Sequence, residues 1–181
     1  MDILGALKLA PSPPALAGAA PPATPARSSS VHFHLANAGA AALVAASLLV
    51  ADPSLAGKDF SGLTLVKQDF KTSILRQANF KGANLLGASF FDADLTSADL
   101  SDSDLRGADF SLANLSKANL TNANLEGALV TGNTSFKGAK ITGTDFTDVP
   151  LRDDQREYLC KIADGVNSTT GNDTKETLFC S

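Results

Sequence analysis

The residues in this chain with the greatest chemical potential are two cysteines in its C-terminal part. Cys160 and Cys180 are the only two cysteines, and both histidines, His32 and His34, lie far upstream of them. Since a structural zinc site needs about four cysteine or histidine ligands, the pair predicts a disulfide bond. Two free buried thiols are the alternative, and a redox-active pair is the one route to enzymatic chemistry that the residues offer.

A regular series of aspartates is the second group that could bind or react. Its members are Asp94, Asp99, Asp104 and Asp109 at every fifth position, with Asp92 and Asp102 beside them. Converging carboxylates would bind Ca²⁺, which takes six to eight oxygen ligands. Diverging carboxylates would form either an acidic docking surface or a solvated surface. The directions of these side chains therefore decide between the three interpretations.

The remaining composition contains no catalytic pattern. After His34 there is no histidine, which removes the commonest general base and metal ligand, and no phosphate-binding loop is present. The chain has 15 Lys and Arg against 19 Asp and Glu, a net charge of -4, which argues against nucleic acid or an anionic membrane as partner. We therefore expect no enzyme activity, no cofactor or metal, and no small-molecule substrate.

The aspartates belong to a five-residue repeat that runs through most of the chain. From Phe60 to Val130 a Leu, Phe or Val stands at every fifth position, and after one inserted residue the series resumes at Phe136, Ile141 and Phe146. Five residues turn an α-helix by about 500°, so the apolar residues would form no stripe. In a straight strand they would alternate between faces. A short extended piece followed by a turn in every repeat points all of them inward.

The repeats, as in "ADLTSADLSDSDLRGADF" over residues 93–110, resemble the pentapeptide-repeat family. The resemblance implies an all-β fold, a right-handed quadrilateral β-helix with four repeats in each coil, over residues 57–147. Positions 20 apart would then stack, and Leu65, Leu85, Leu105 and Leu125 form one such set of equal size. The four aspartates would lie on four different sides, which favours a solvated surface over a calcium site. Lys58, Leu63, Gln68 and Ser73 stand where later coils have mainly alanine, and should cover the first coil.

The first 56 residues differ in composition from the repeats. Residues 10–39 are rich in Ala, Pro and Ser, and the fourteen small or apolar residues 38–51 are too few for a comfortable membrane span. They match the apolar core of a signal peptide, and Ser54 and Ala56 fit the small-residue cleavage pattern. Residues 1–56 thus predict a cleaved bipartite chloroplast and thylakoid-lumen targeting segment, so that the mature protein lies in the lumen without a stable membrane span. A disordered leader with a signal anchor is the alternative.

The five-residue pattern stops after Phe146, and residues 148–181 predict a C-terminal helical cap. The first helix should begin near Pro150 and end before Gly165. Its apolar face would contain Leu151, Tyr158, Leu159 and Ile162. A second short helix should follow Asp173 as N-cap. This cap would hide the unpaired edge of the last coil, and a disulfide between the two cysteines would join its two segments.

A few apolar residues occupy positions that should point outward. Val66, Leu86 and Phe91 directly follow central residues, and Val66 and Leu86 are 20 apart and should stack. Ile74 and Leu129 stand where most repeats have Asp or Asn. Isolated apolar residues are common on protein surfaces, whereas a contiguous group marks an interface. Val66, Leu86 and Phe91 are therefore a candidate partner patch.

Together these features predict a non-catalytic structural or protein-interaction protein of the thylakoid lumen, with an unidentified lumenal partner. Two alternatives stay open. Some pentapeptide-repeat proteins resemble duplex DNA and bind topoisomerases, which the acidic series would allow here. A redox-responsive lumenal protein, acting through Cys160 and Cys180, is the other.

Overall fold

A coil of 20 residues is the repeating unit of the structure. The computed structural model describes residues 54–181, so the predicted targeting segment lies outside the described residues except for its last three positions. From Ser54 onward the backbone forms parallel bridges between residues 20 apart, beginning with Ser54 and Ile74 and continuing to Asp109 and Leu129. Four repeats therefore complete one coil, as the resemblance to the pentapeptide-repeat family implies.

The coils are joined by single bridged residues and not by strands. Asn79 is typical, because its N–H donates to Lys58 O at 2.8 Å while its carbonyl accepts from Phe60 N at 2.7 Å. Within residues 54–181 every β-pairing is an isolated bridge, parallel between coils and antiparallel between Val166 and Asp173 of the cap. The all-β prediction is therefore corrected: the described coils contain isolated bridges in place of strands. Two of the five residues in each repeat form the turn, so one residue on each side pairs with the coil before and the coil after it.

Each corner is a tight turn that follows a central apolar residue. In the repeat of Leu105, the N–H of Ala108 donates to the Leu105 carbonyl at 3.0 Å, and Gly107 has a φ of 62°. A turn with positive φ at its third residue has the pattern of type II. Glycine adopts this conformation without steric cost, yet Thr72 and Leu112 also adopt it, with φ of 54° and 62°.

The interior is a column of the central residues. Those from Leu75 to Leu125 are fully buried, and the rings of Phe70, Phe90 and Phe110 stack at centroid distances of 5.1 Å. The column begins earlier than the predicted boundary at residue 57, because Leu55 is buried and its N–H donates to Ile74 O at 2.8 Å. The single inserted residue shifts the later bridges to a spacing of 21, beginning with Asn114 and Ser135.

Two helices follow the last coil. Helix α1 spans Asp153–Cys160 and helix α2 spans Thr174–Thr177. Asp173 caps α2 as predicted, since its side chain accepts from the N–H groups of Lys175 and Glu176. Within residues 54–181 no helix is long and apolar enough to cross a bilayer.

Helix α1 is shorter than predicted and its apolar face is narrower. It ends at Cys160, and its buried residues are Gln155 and Leu159. Leu151 and Ile162 lie outside α1, so the prediction that they share its apolar face with Tyr158 and Leu159 is wrong for these two; Tyr158 is 37% exposed and Leu159 is buried. An eight-residue helix makes only about two turns, which lets one i, i+4 pair contact the coil beneath it.

Candidate functional site

The predicted disulfide is present and lies in the cap. Cys160 at the end of α1 is bonded to Cys180 beyond α2, with their Cα atoms 5.6 Å apart. Both residues are half-buried and pack against the hydrophobic core. The described residues contain no free cysteine, so the alternative of two free thiols is wrong for this structure. The bond joins the two cap helices.

The cap satisfies backbone groups at the end of the last coil. The Asn167 amide donates to Gly143 O at 2.8 Å and to Ala123 O at 3.2 Å, while its oxygen accepts from two N–H groups of its own loop. Gln155 donates to Thr134 O at 2.9 Å, and Tyr158 accepts from Gly138 N at 2.7 Å. These contacts agree with the prediction that the cap covers an otherwise unpaired edge.

A cavity of about 470 Å³ lies between the last coil and α1. Its polar lining is largely engaged already, because Arg152 forms two hydrogen bonds of 2.9 Å to Asp154, and Gln155 and Tyr158 hold the coil. Lys137 also lines it. The lining hydroxyls are engaged as well, since Thr134 donates to Phe110 O at 2.8 Å and the Ser135 hydroxyl lies 3.1 Å from that of Ser116.

The aspartate series has a local structural role that the sequence interpretation missed. Asp99 Oδ1 accepts from the backbone N–H of Ser101 at 3.0 Å and from its hydroxyl at 2.7 Å. Asp104 binds the Arg106 guanidinium through two hydrogen bonds of 2.9 and 2.7 Å. Each bridged Asp or Asn of this type closes the corner that follows it, which explains why the repeat carries an oxygen acceptor there.

These hydrogen bonds change the acidity of the carboxyl groups. Burial by itself raises the pKa of Asp99, but hydrogen bonds from Ser101 and Asn119 and the charge of Lys81 outweigh it, so that the net pKa is lowered. The Arg106 side chain is the main reason for the lowered pKa of Asp104. Within the described part of the chain, no group of acidic, histidine or cysteine side chains is placed to hold a metal ion.

The candidate patch residues are exposed at two neighbouring corners. Val66, Leu86 and Phe91 are 41%, 37% and 38% exposed. Val66 and Leu86 lie on the same corner of successive coils, where the Lys67 N–H donates to Leu86 O at 2.8 Å. Phe91 lies at the next corner, beyond the side that contains Ser89.

Two further exposed leucines belong to the same region. Leu129, noted from the sequence as outward-facing, is 47% exposed and lies on the side that contains Ser89. Leu112 is 42% exposed at the corner that also carries Phe91. Sequence reasoning missed Leu112, because the third residue of this turn has a positive φ, which leucine rarely adopts.

Comparison with known proteins finds relatives among pentapeptide-repeat and thylakoid lumenal proteins. A family model for pentapeptide repeats matches residues 73–111, 93–132 and 108–153, with eight copies. Over 50 residues the chain is 80% identical to an Arabidopsis thaliana thylakoid lumenal 15 kDa protein, and over 43 residues 49% identical to thylakoid lumenal protein TL20.3 of the same plant. The matches cover 28% and 24% of this chain but only 22% and 15% of those relatives.

A solved structure extends the likeness to most of the described residues. The crystal structure of a pentapeptide repeat protein from the Arabidopsis thaliana thylakoid lumen is 78% identical, with a TM-score of 0.70, and the match covers 71% of this chain and 90% of that one. The likeness gives the hand of the β-helix, which is right-handed. The repeat sequence, the 20-residue coil and this match together show that the chain belongs to the pentapeptide-repeat family, as a member from the thylakoid lumen.

Proposed function

We propose that this chain is a non-catalytic interaction protein that binds a lumenal partner through the patch of Val66, Leu86 and Phe91. One observation carries the proposal: three large apolar side chains lie exposed at adjoining corners of one side of the solenoid. Grouped exposed apolar residues are typical of surfaces that bind other proteins. The pentapeptide-repeat family is not known for catalysis, which agrees with a binding role.

Neither alternative from the sequence gains support from the described residues. The carboxylates Asp94, Asp99 and Asp104 are engaged with neighbouring N–H, hydroxyl or guanidinium groups, which does not favour a surface that imitates nucleic acid. The Cys160–Cys180 bond holds two helices of the cap, a structural role that needs no redox cycle.

Capture from lumen extract tests the proposal. We expect the immobilised protein to retain a partner that the Phe91→Asp variant loses, because a carboxylate at this position opposes burial in an apolar interface. Ile74→Asp is the matched control, since Ile74 is 41% exposed on a different side of the solenoid. Loss of the partner with both variants, or with neither, contradicts the assignment of the patch.

The targeting segment is proposed with one change to its boundary. Leu55 is buried in the first coil, so cleavage after Ala56 would remove a core residue, whereas cleavage before Ser54 would keep it. We therefore expect mass spectrometry of the mature protein to find an N-terminus at or before Ser54. A mature chain that begins at Gly57 contradicts this placement.

A further inference from the structure

The exposed apolar residues extend along one side of the solenoid over four coils. The bridges align Asp69, Ser89, Asp109 and Leu129 on that side. Its two bordering corners and the side itself carry five exposed apolar residues, here called the apolar side: Val66, Leu86, Phe91, Leu112 and Leu129.

Two of these residues depart from the residue types that most repeats carry at their position. Leu112 is 42% exposed and its side chain lies beside Gly132 of the next coil, but the other repeats have glycine or a polar residue at this turn position of positive φ. On the same side, Asp69 and Asp109 accept the backbone N–H two residues further on, at 3.0 and 2.9 Å, whereas Leu129 has no acceptor atom. Apolar residues at positions that are mostly polar or glycine are departures from the repeat pattern, and such departures are expected at functional surfaces.

The spacing of the coils matches one class of partner. Successive coils lie about 4.8 Å apart, the β-sheet spacing, and an α-helix advances about 5.4 Å per turn. A helix aligned with the solenoid axis therefore presents about one turn to each coil, with a mismatch of only about 2 Å over three coils. An extended peptide would find few backbone partners here. Only one residue on each side of a coil forms a β-bridge, and its backbone groups already bind the neighbouring coils.

The charges on this side indicate which charged residues should flank the apolar stripe of such a helix. Three carboxylates on this side and its corners, those of Asp92, Asp109 and Glu126, form no ion pair within residues 54–181, and Lys67 is a cation there that also forms none. The other two cations are paired, Lys71 with Asp69 at 3.9 Å and Arg106 with Asp104 at 2.7 Å. Basic residues beside the apolar stripe of a partner helix would complement this excess of unpaired carboxylates.

We propose that the apolar side binds an amphipathic α-helix with basic flanks, lying parallel to the solenoid axis. Leu and Phe side chains at helical spacing would pack between the corners that carry Leu86 and Phe91, as an amphipathic helix does in a groove. The inference rests on the proposed interaction function and specifies the shape and charge of its partner.

The test uses a synthetic 18-residue amidated peptide with leucines at i, i+4, i+7 and i+11, lysines beside them and alanine elsewhere. Its affinity for the protein is measured by fluorescence anisotropy, together with a scrambled peptide of equal composition and a version with glutamate for lysine. We expect the Leu/Lys helix to bind at least about tenfold more tightly than either control peptide, the loss expected when one apolar contact or charge pair is removed.

Variants locate the binding surface. Phe91→Ser copies Ser111 in the next coil, and Leu112→Asn copies Asn122, which has a φ of 57° at the same turn position. Each should weaken binding of the Leu/Lys helix at least about tenfold while the melting temperature changes by only a few degrees. Ile74→Asn, on another side, should leave the affinity unchanged.

Three results overturn the inference. They are equal binding of the scrambled peptide, equal binding of the glutamate version, and affinities that Phe91→Ser and Leu112→Asn leave unaltered. The proposed function fails separately: if extract capture still depends on Phe91 while the helix does not bind, the patch binds a partner of another shape.

Discussion

The two ends of the solenoid cover the same apolar column by different means. At the C-terminal end a separate segment with two helices and a disulfide lies over the last coil, where Ile141 and Phe146 are almost fully buried. At the N-terminal end of the described residues the repeat supplies its own cover. There Leu63, Gln68 and Ser73 are half-buried, and the central Phe60 is 9% exposed.

The difference shows what an end of a repeat protein requires. Each coil gains stability from its neighbours, so an end coil has lost contacts on one side. Long side chains in place of alanine shield the column and leave its edge next to solvent. A folded cap supplies hydrogen-bond partners as well, as Asn167 and Gln155 do. We therefore expect substitutions at the C-terminal end to cost more free energy of unfolding.

The largest contrast should come from leucine truncation at the two ends. Leu159→Ala opens a cavity beneath α1, where Leu159 is fully buried, and should lower the free energy of unfolding by about 4 kcal/mol. Leu55→Ala should cost about 2 kcal/mol, the transfer cost alone, because Leu55 lies in the first coil, where no enclosed cavity is expected. Urea denaturation of both variants measures the difference, and equal losses would remove the distinction between the ends.

Removal of the disulfide should have the next largest effect. The bond closes a loop with a sequence separation of 20, for which the chain-entropy model predicts a stabilisation of about 3 kcal/mol. The double variant Cys160→Ala, Cys180→Ala should lose this amount in urea denaturation. Reductant should destabilise the wild type by a similar amount and leave the double variant unchanged. An unaltered midpoint in the double variant would mean that the cap stays docked without its covalent link.

Two glutamines should show the same contrast between the two ends, with smaller losses in the free energy of unfolding. Gln155 is buried, donates to Thr134 O at 2.9 Å and accepts from Arg152 N at 3.1 Å. Gln155→Ala leaves both partners unsatisfied and should cost about 2 kcal/mol. Gln68 covers the first coil, so Gln68→Ala should cost only about 0.5 kcal/mol. Thermal unfolding of the two variants tests this order, and a larger effect at Gln68 would reverse our view of the ends.

Acid should weaken the structure through carboxylates at both ends. Burial raises the pKa of Asp145, but hydrogen bonds from Thr147, Thr170 and Asn172 outweigh it, and the pKa is lowered. The pKa of Asp59 is lowered mainly by the Ser61 hydrogen bonds. A lowered folded-state pKa contributes stability above the unfolded value near 3.8, and this is lost as pH falls through the folded value.

The melting temperature should accordingly be lower at pH 3 than at pH 6. Asp145→Asn should reduce the drop, because the amide oxygen still accepts from Thr147 N and takes up no proton. Asp59→Asn should reduce it less, since Asp59 is exposed whereas Asp145 is buried. Identical acid sensitivity in all three proteins would show that these carboxylates do not govern the pH response.

Much of the fold could be predicted because the period of the repeat leaves few solutions. Neither helix nor straight strand gives every fifth side chain one common direction. The family resemblance implied the 20-residue coil, and like residues 20 apart, such as Leu85 and Leu105, were compatible with it. The boundaries were harder. Leu55 is in register with the column but adjoins the signal-like segment, so the sequence alone did not distinguish it. The sequence also did not show that α1 ends at Cys160, five residues before Gly165.

The surface was less predictable than the core. Val66, Leu86 and Phe91 could be identified as outward-facing from their place in the repeat. The position of Leu112 could not be interpreted in the same way, because its exposure follows from a turn conformation that leucine rarely adopts. The aspartates were predicted as a solvated surface, whereas their oxygens bind the corner N–H groups.

The sequence by itself determined the coiled repeat, the apolar column and the cysteines available for bonding, because regular spacing and composition are properties of the chain. Tertiary structure alone decided which backbone groups the cap satisfies and that Leu112 and Leu129 lie beside the predicted patch. Those relations join residues 20 or more positions apart, and the winding of the coils brings them together.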